Sequence, residues 1–384
     1  MSGKPTFPDL AAAVAPLLEA HHTDVAKELG VVASWDMRDH DAARAVERLR
    51  EMNLFSLVVP ARHGGRGFAS GALERIDLRA LCLAREALGW AHPMADSILA
   101  VQGLFAHPLI FSGAAAHAEL LGQIAKGDRV GGFALTEPEA GSDIGSMQTT
   151  ARREGAEWNL DGTKVFISNV GIADHFVVFA RVEGAPKPIS AFLVPREAPG
   201  LVSTRIPMSL DHPLGRLEMH GCRVPAGAIV GDVGQGMRLA LGTLDVLRTS
   251  VGAAACGMAR RALDEARTRV RERVQFGKPL ADFQLTQAAI AEMATELDAA
   301  RLLVYRAARL KDGGERASVE VAMAKMFATE AAQRIIDRAV QLFGGLGVAL
   351  GSVVEQLYRE IRPLRIYEGT TEIQKLIIGG ALLA

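Results

Sequence analysis

Glu368 stands in IRPLRIYEGTTEIQ, residues 361–374, with the apolar pair Ile366-Tyr367 on one side and Gly369 on the other. Glycine lets a backbone pass close to a ligand with no side chain between them. If the apolar pair lines a dry cavity, the carboxylate is desolvated and holds its proton more tightly. A carboxylate in that condition suits a general base working near neutral pH. A structural reading competes: Thr370 and Thr371 are good N-cap residues, so the stretch also fits a capping turn before a helix that begins near Thr371. On these residues alone the capping reading is favoured, because capping turns far outnumber catalytic ones.

Three other stretches carry chemistry. GGFALTEPEAGSD, residues 131–143, offers a run of backbone N–H groups and the hydroxyls of Thr136 and Ser142. Such a segment can line a flat ligand that carries phosphates, or simply be a strand followed by a turn at Pro138 and Gly141. RERVQFGKPL sets Arg273 near Phe276 and Gly277. Its arginine can grip a phosphate through two parallel hydrogen bonds, or only complement a helix C-terminus. QLFGGLG, residues 341–347, reads as a glycine helix stop. It is too short for a GxGxxG fingerprint and follows no strand, so it does not signal a Rossmann unit.

Hydrophobic periodicity supplies the elements that would position these residues. Residues 1–128 read as helices joined by short loops, including DHDAARAVERLREMNL with Ala43, Val46, Leu49 and Met52 at helical spacing, and LERIDLRALCLAREAL. Residues 129–236 change texture to a small β domain. There Asp161-Gly162 signals a hairpin, and HFVVFARV, ISAFLVP and LEMHGCRVP are strand candidates. Residues 237–384 are helical again. Leu244, Leu247, Val251, Ala255 and Met258 share one face, and Ile290, Met293, Leu297 and Ala300 share another. A third helix runs from about Ser318 to Phe343 and a fourth starts near Thr371, which together read as an antiparallel four-helix bundle.

Composition narrows the classes. With 43 basic and 44 acidic residues in 384, the chain has no global pull toward nucleic acid or anionic membrane. No apolar run in the sequence approaches the ~20 residues of a membrane span. Cys82, Cys222 and Cys256 are widely spaced and odd in number, which fits neither a disulfide framework nor a metal site and points to a reducing cytoplasm. The N-terminus reads as lacking a signal or transit peptide. The histidines show no HExxH spacing, so no metal is expected.

The order of the motifs carries more than any one of them. VVPARHGGRGF, ALTEPEAGSD, WNLDGTKVFISN, RVPAGAIVG, LDVLRTSVGAAACG, RERVQFGKPLADFQ, QLFGGLG and YREIRPLRIYEGTTEIQ follow one another as they do in the acyl-CoA dehydrogenase family. The chain resembles that family over nearly its whole length, in particular the short- and medium-chain type with the base in the C-terminal YEGT motif. The resemblance implies a mainly α fold with a middle β domain: an N-terminal helical domain, a β-barrel-like middle domain and a C-terminal four-helix bundle, with FAD between the last two. It implies flavin contacts at Phe133, Leu135, Thr136, Ser142, Phe166, Ser168, Thr370 and Glu372. Arg273, Phe276 and Gln284 would meet the FAD of a neighbouring subunit, whose adenosine diphosphate part would lie on Gln341, Gly344 and Gly345. Ser142, Asp245, Arg248, Tyr367 and Gly369 would face the acyl-CoA. Glu368 takes the position of the catalytic base, and its backbone N–H that of a donor to the thioester carbonyl, an oxyanion-hole role.

The same resemblance implies a homotetramer built as a dimer of dimers, and an electron-transfer flavoprotein as acceptor. Leu247 stands where some members place the base, which leaves Glu368 as the carboxylate for the task. Gly380 stands where many members carry an arginine. PMSLDHPLGRLEM lacks the family's usual Gly-x-Arg-x-Ser run, and the pocket floor, ADSILAVQG with Leu247, Val251 and Tyr367, matches no particular subclass. Two alternatives keep the flavin: an oxidase using oxygen, and a non-catalytic flavoprotein of the same fold.

Overall fold

The structure is a computed structural model, and it describes residues 5–67, 75–113 and 115–384. Phe68 of VVPARHGGRGF and the Leu73-Glu74 start of LERIDLR lie outside the described residues.

Among the described residues five α-helices come first: α1 (Ala20–Glu28), α2 (Ala42–Glu51), α3 (Leu78–Ala91), α4 (Pro93–Ser112) and α5 (Ala118–Lys126). Asp41 caps α2 by accepting from the N–H groups of Ala43 and Arg44. The buried face of α2 is Ala45 and Leu49; Ala43 is exposed, one step off the face expected from spacing. Every residue of α3 is buried, Arg85 and Glu86 included, as in a helix at the centre of a core. Gly127 closes α5 in a left-handed conformation.

Eight strands follow: β1 (Gly131–Ala134), β2 (Thr150–Glu154), β3 (Glu157–Ser168), β4 (His175–Val182), β5 (Ile189–Pro195), β6 (Leu201–Arg205), β7 (Leu214–Pro225) and β8 (Ile229–Val230). They form one sheet in the order β6-β7-β3-β2-β4-β5-β8, with β1 added parallel to β4. Phe176, Val178, Phe192, Val194, Leu217 and Met219 are among the side chains of its core. Asp161-Gly162 is not a hairpin turn. It lies inside β3 at a bulge against β7, where the Asp161 carboxylate accepts from the Gly221 N–H at 2.7 Å. A Cβ on Gly162 would stand 2.5 Å from Thr149 Oγ1, so the glycine answers a close approach rather than a reversal. The reversal between β2 and β3 falls at Gly155, with φ of 62°.

The remainder is α6 (Gly236–Glu272), the short strands β9 (Val274–Gln275) and β10 (Lys278–Pro279), then α7 (Gln284–Asp312), α8 (Ser318–Phe343), α9 (Val353–Leu364) and α10 (Thr371–Leu383). The helix α9 is one more than the four expected; its turn-forming Pro363 sits in the last turn and obscures the pattern. Phe276 and Gly277 join β9 to β10 with φ of 51° and 77°, the two positive values of a tight hairpin turn. By length and composition α4 and α6 could each cross a membrane, but 67% and 78% of their most apolar windows are buried inside the protein.

Proximity in space divides the chain into two compact units, each discontinuous in sequence. One comprises residues up to Asp39, Leu78–Asp96 and Arg248–Ala384; the other comprises His40–Asp77 and Ser97–Leu247. The first holds Glu368 and the second holds the sheet.

Candidate active site

The chain leaves α9 and enters α10 through six residues. Ile366 and Tyr367 donate their N–H groups to the Pro363 carbonyl at 2.8 and 3.0 Å, closing the end of α9. Thr370 Oγ1 accepts from the Ile373 N–H at 3.3 Å and caps α10. The capping role therefore belongs to Thr370, and Glu368 is left over from it. Glu368 and Gly369 both adopt left-handed backbone, with φ of 53° and 90°. A non-glycine residue there costs ~1–3 kcal/mol unless its surroundings hold it.

The surroundings hold it through the carbonyls. Arg248 Nε on α6 donates to the Glu368 oxygen at 2.7 Å. Lys325 Nζ on α8 and Gln374 Nε2 on α10 donate to the Gly369 oxygen at 2.8 and 2.9 Å. A Cβ on residue 369 would stand 2.6 Å from that Gln374 nitrogen and 3.1 Å from Arg248 Nη2, which is why glycine is required. Just beyond, the Glu330 carboxylate accepts from Thr371 Oγ1 at 2.6 Å and from Arg365 Nε at 2.9 Å. Among the described residues, no protein acceptor takes the Glu368 N–H.

The Glu368 side chain has a buried oxygen, Oε2, with no hydrogen-bond partner. Burial pushes its pKa above the ordinary glutamate value; the charges of Arg85, Arg248 and Lys325 oppose that rise, and Asp96 adds to it. Arg85 on α3 grips Asp96 on α4 through two bonds of 2.8 and 2.9 Å and Ser250 on α6 through a third of 2.9 Å. Burial raises the pKa of the Tyr367 hydroxyl and the nearby Arg85 charge opposes that rise, although 37% of the residue stays exposed. Lys325 is fully buried, and that burial brings its pKa down to about 8.

The second unit presents the other expected contacts. Phe133 on β1 packs edge-on to Phe179, with ring centres 5.0 Å apart. The loop after β1 is clamped from β3: Lys164 Nζ donates to the Leu135 carbonyl at 3.1 Å and the Glu137 carboxylate at 2.7 Å, and the Val165 N–H donates to Thr136 O at 2.9 Å. Phe166, in left-handed backbone, leaves 59% of its surface exposed. Among the described residues the hydroxyls of Thr136, Ser142 and Ser168 have no protein partner. An exposed aromatic ring beside a pinned loop, with two unengaged hydroxyls on the loop and a third at the end of β3, fits a flat, phosphate-bearing group such as FAD.

Not all the expected residues gather at Glu368. Tyr367, Gly369, Thr370 and Arg248 do. Arg273, Phe276 and Gln284 are exposed at the corner between α6 and α7, Phe276 to 94%, and Gln341, Gly344 and Gly345 are exposed at the end of α8; none hydrogen-bonds to the Glu368 turn. Asp245 is half-buried on α6 and Glu372 exposed on α10. Arg248, expected on the CoA side, uses its Nε on the turn. Lys325, Arg85, Asp96 and Gln374 fall within stretches singled out in the sequence without being assigned a role. The available signal was a charge inside an apolar stripe: Lys325 follows Val321, Ala322 and Ala324 and precedes Ala328, all buried.

Each unit by itself suits a flavin-dependent oxidoreductase: the helical one carries a desolvated carboxylate on a left-handed turn, and the β one a pinned loop beside an exposed ring. The middle domain of acyl-CoA dehydrogenases matches residues 132–222 and their C-terminal domain residues 234–383. The chain is 37% identical over 375 residues to the short-chain specific acyl-CoA dehydrogenase of Homo sapiens mitochondria, covering 96% of this chain and 89% of that protein. It superposes on butyryl-CoA dehydrogenase from Megasphaera elsdenii with a TM-score of 0.88 at 32% identity, covering 96% and 99% of the two chains. A chain solved in a study of the electron transferring flavoprotein of Acidaminococcus fermentans gives 0.89 at 32% identity, with 95% and 98% covered. The chain belongs to the acyl-CoA dehydrogenase family. Its cofactor is FAD and its reaction is dehydrogenation of an acyl-CoA thioester; the oxidase and non-catalytic alternatives are not favoured.

Proposed function

We propose that Glu368 is the general base of this reaction. The observation that carries the reading is its carboxylate, with Oε2 buried and unpartnered on a turn whose two carbonyls are held by Arg248 and Lys325. The carboxylate takes the α-proton of the thioester while the bond between the α- and β-carbons becomes double. FAD, when bound, supplies the acceptor for the β-hydride. The Glu368 N–H, with no protein acceptor among the described residues, donates to the thioester carbonyl and stabilises the enolate charge. Phe133, Leu135, Thr136, Ser142, Phe166, Ser168, Thr370 and Glu372 contact the flavin of their own subunit; Ser142, Asp245 and Tyr367 line the substrate's path.

Glu368→Gln keeps shape and backbone but cannot accept the proton. Flavin content and the acyl-CoA-induced shift of the flavin spectrum should persist, while anaerobic flavin reduction falls ~10²–10⁴-fold. Reduction at the original rate would remove Glu368 from the mechanism.

The finer assembly is also a proposal. Phe276, Leu285 and Leu350 expose 94%, 88% and 87% of their surfaces, an apolar provision that favours burial against other copies in a homotetramer. Arg273 and Gln284 then reach a neighbour's FAD, whose adenosine diphosphate part rests on Gln341, Gly344 and Gly345. An electron-transfer flavoprotein accepts the electrons, a reading supported by the context in which one similar chain was solved. No contact with membrane or nucleic acid is proposed, and the three free, buried cysteines favour the cytoplasm.

A further inference from the structure

Lys325 is a costly residue where it stands. Its side chain is wholly inaccessible, yet an ammonium carries three donors and a charge that water would solvate. Its partner is a main-chain oxygen, that of Gly369, at 2.8 Å. Among the described residues no carboxylate pairs with it, and Glu368 likewise forms no ion pair. A neutral donor such as glutamine could satisfy that carbonyl, as Gln374 already does at 2.9 Å. What the lysine adds is charge.

We propose that Lys325 is a positioning residue for the catalytic base: it locks the Gly369 carbonyl and places a buried positive charge beside the turn that carries the Glu368 carboxylate. The inference rests on Glu368 being the base. The charges that act on that carboxylate are Arg85 from α3, Asp96 from α4, Arg248 from α6 and Lys325 itself, with Tyr367 beside it in the turn; Lys325 in turn feels Glu368, Arg248, Glu330 on α8 and Glu372 on α10. The Arg85 charge is tied to Asp96 by two hydrogen bonds and is partly cancelled by it. Arg248 is committed to the Glu368 carbonyl and never loses its proton in water. Lys325 is therefore the one cation of the three that titrates in an accessible range, since burial brings it to about 8. Its charge and the base's proton affinity are coupled: protonated Lys325 lowers that affinity, and neutral Lys325 lets it rise.

The test follows the acidic limb of flavin reduction against pH in the FAD-loaded enzyme. In Lys325→Met and Lys325→Gln the limb should move up by about one pH unit, the glutamine variant retaining a donor for Gly369. In Lys325→Arg it should stay in place. A purely structural lysine predicts a lower rate with an unmoved limb, and that result overturns the proposal. If neither neutral variant folds, the wild-type protein decides. The infrared carboxylate band of Glu368, identified by its loss in Glu368→Gln, should shift a second time near pH 8 as Lys325 loses its proton. A single titration step overturns the coupling. Glu368→Gln separates the two ideas: if it still reduces flavin normally, the base assignment fails; if it does not and the limb is unmoved in the Lys325 variants, only the role of Lys325 fails.

Discussion

Arg248 Nε donates to the carbonyl oxygen of Glu368 at 2.7 Å, so a helix 120 residues upstream holds the main chain of the proposed base rather than its carboxylate. The grip lies on the carbonyl, which leaves the carboxylate free to take a proton and fixes the direction of the peptide that follows.

Loss of that grip should be expensive. Arg248→Ala leaves a carbonyl without its charged donor, worth ~1.5–3 kcal/mol. If the loss falls on the working geometry of Glu368, flavin reduction should slow roughly 10–100-fold. Stopped-flow bleaching by an acyl-CoA measures it. An unchanged rate with reduced thermal stability alone would confine Arg248 to folding.

Gly369→Ala tests the turn itself. The new methyl would lie 2.6 Å from Gln374 Nε2 in backbone at φ of 90°, so both a clash and strain arise. We expect ~1–3 kcal/mol of lost stability, seen as a lower Tm, together with a slower reduction step because Glu368 must shift. A variant as stable and active as the parent contradicts this geometry.

The raised pKa of Glu368 has a consequence for stability. A carboxyl held above its unfolded value contributes stability that is fully present below the unfolded pKa and is lost as pH rises through the folded one. At pH 7, above the unfolded value, the desolvated group therefore weakens the fold. Glu368→Gln removes that burden, so its Tm should exceed the parent's at pH 7 and the gap should close as pH falls below about 4.5. A gap independent of pH would place the effect in packing.

Assembly and cofactor retention should fail together at the α6–α7 corner. Phe276 is 94% exposed in the single chain, so Phe276→Asp leaves the subunit's own core intact. Light scattering should report a smaller species than the parent, and Arg273→Ala should lose flavin on dilution. A Phe276→Asp protein with unchanged mass and flavin content would exclude this corner from the interface.

Residue type and local spacing carried a good deal. The helix start at Thr370 and the stop at the Gly344-Gly345 pair were readable because caps and glycine stops are properties of a few adjacent residues. The order of motifs was enough to point to the family, and the YEGT run to a carboxylate. Tertiary structure decided the rest. Asp161-Gly162 has the composition of a hairpin, yet long-range pairing with β7 and the nearness of Thr149 make it a bulge inside β3. Which cations meet the Glu368 turn could not be read from spacing. Arg85, Arg248 and Lys325 come from α3, α6 and α8, and only their convergence puts charge beside a buried carboxylate. Proton affinity depends on burial and on the distance to other charges, and both are set by packing between residues far apart in the chain.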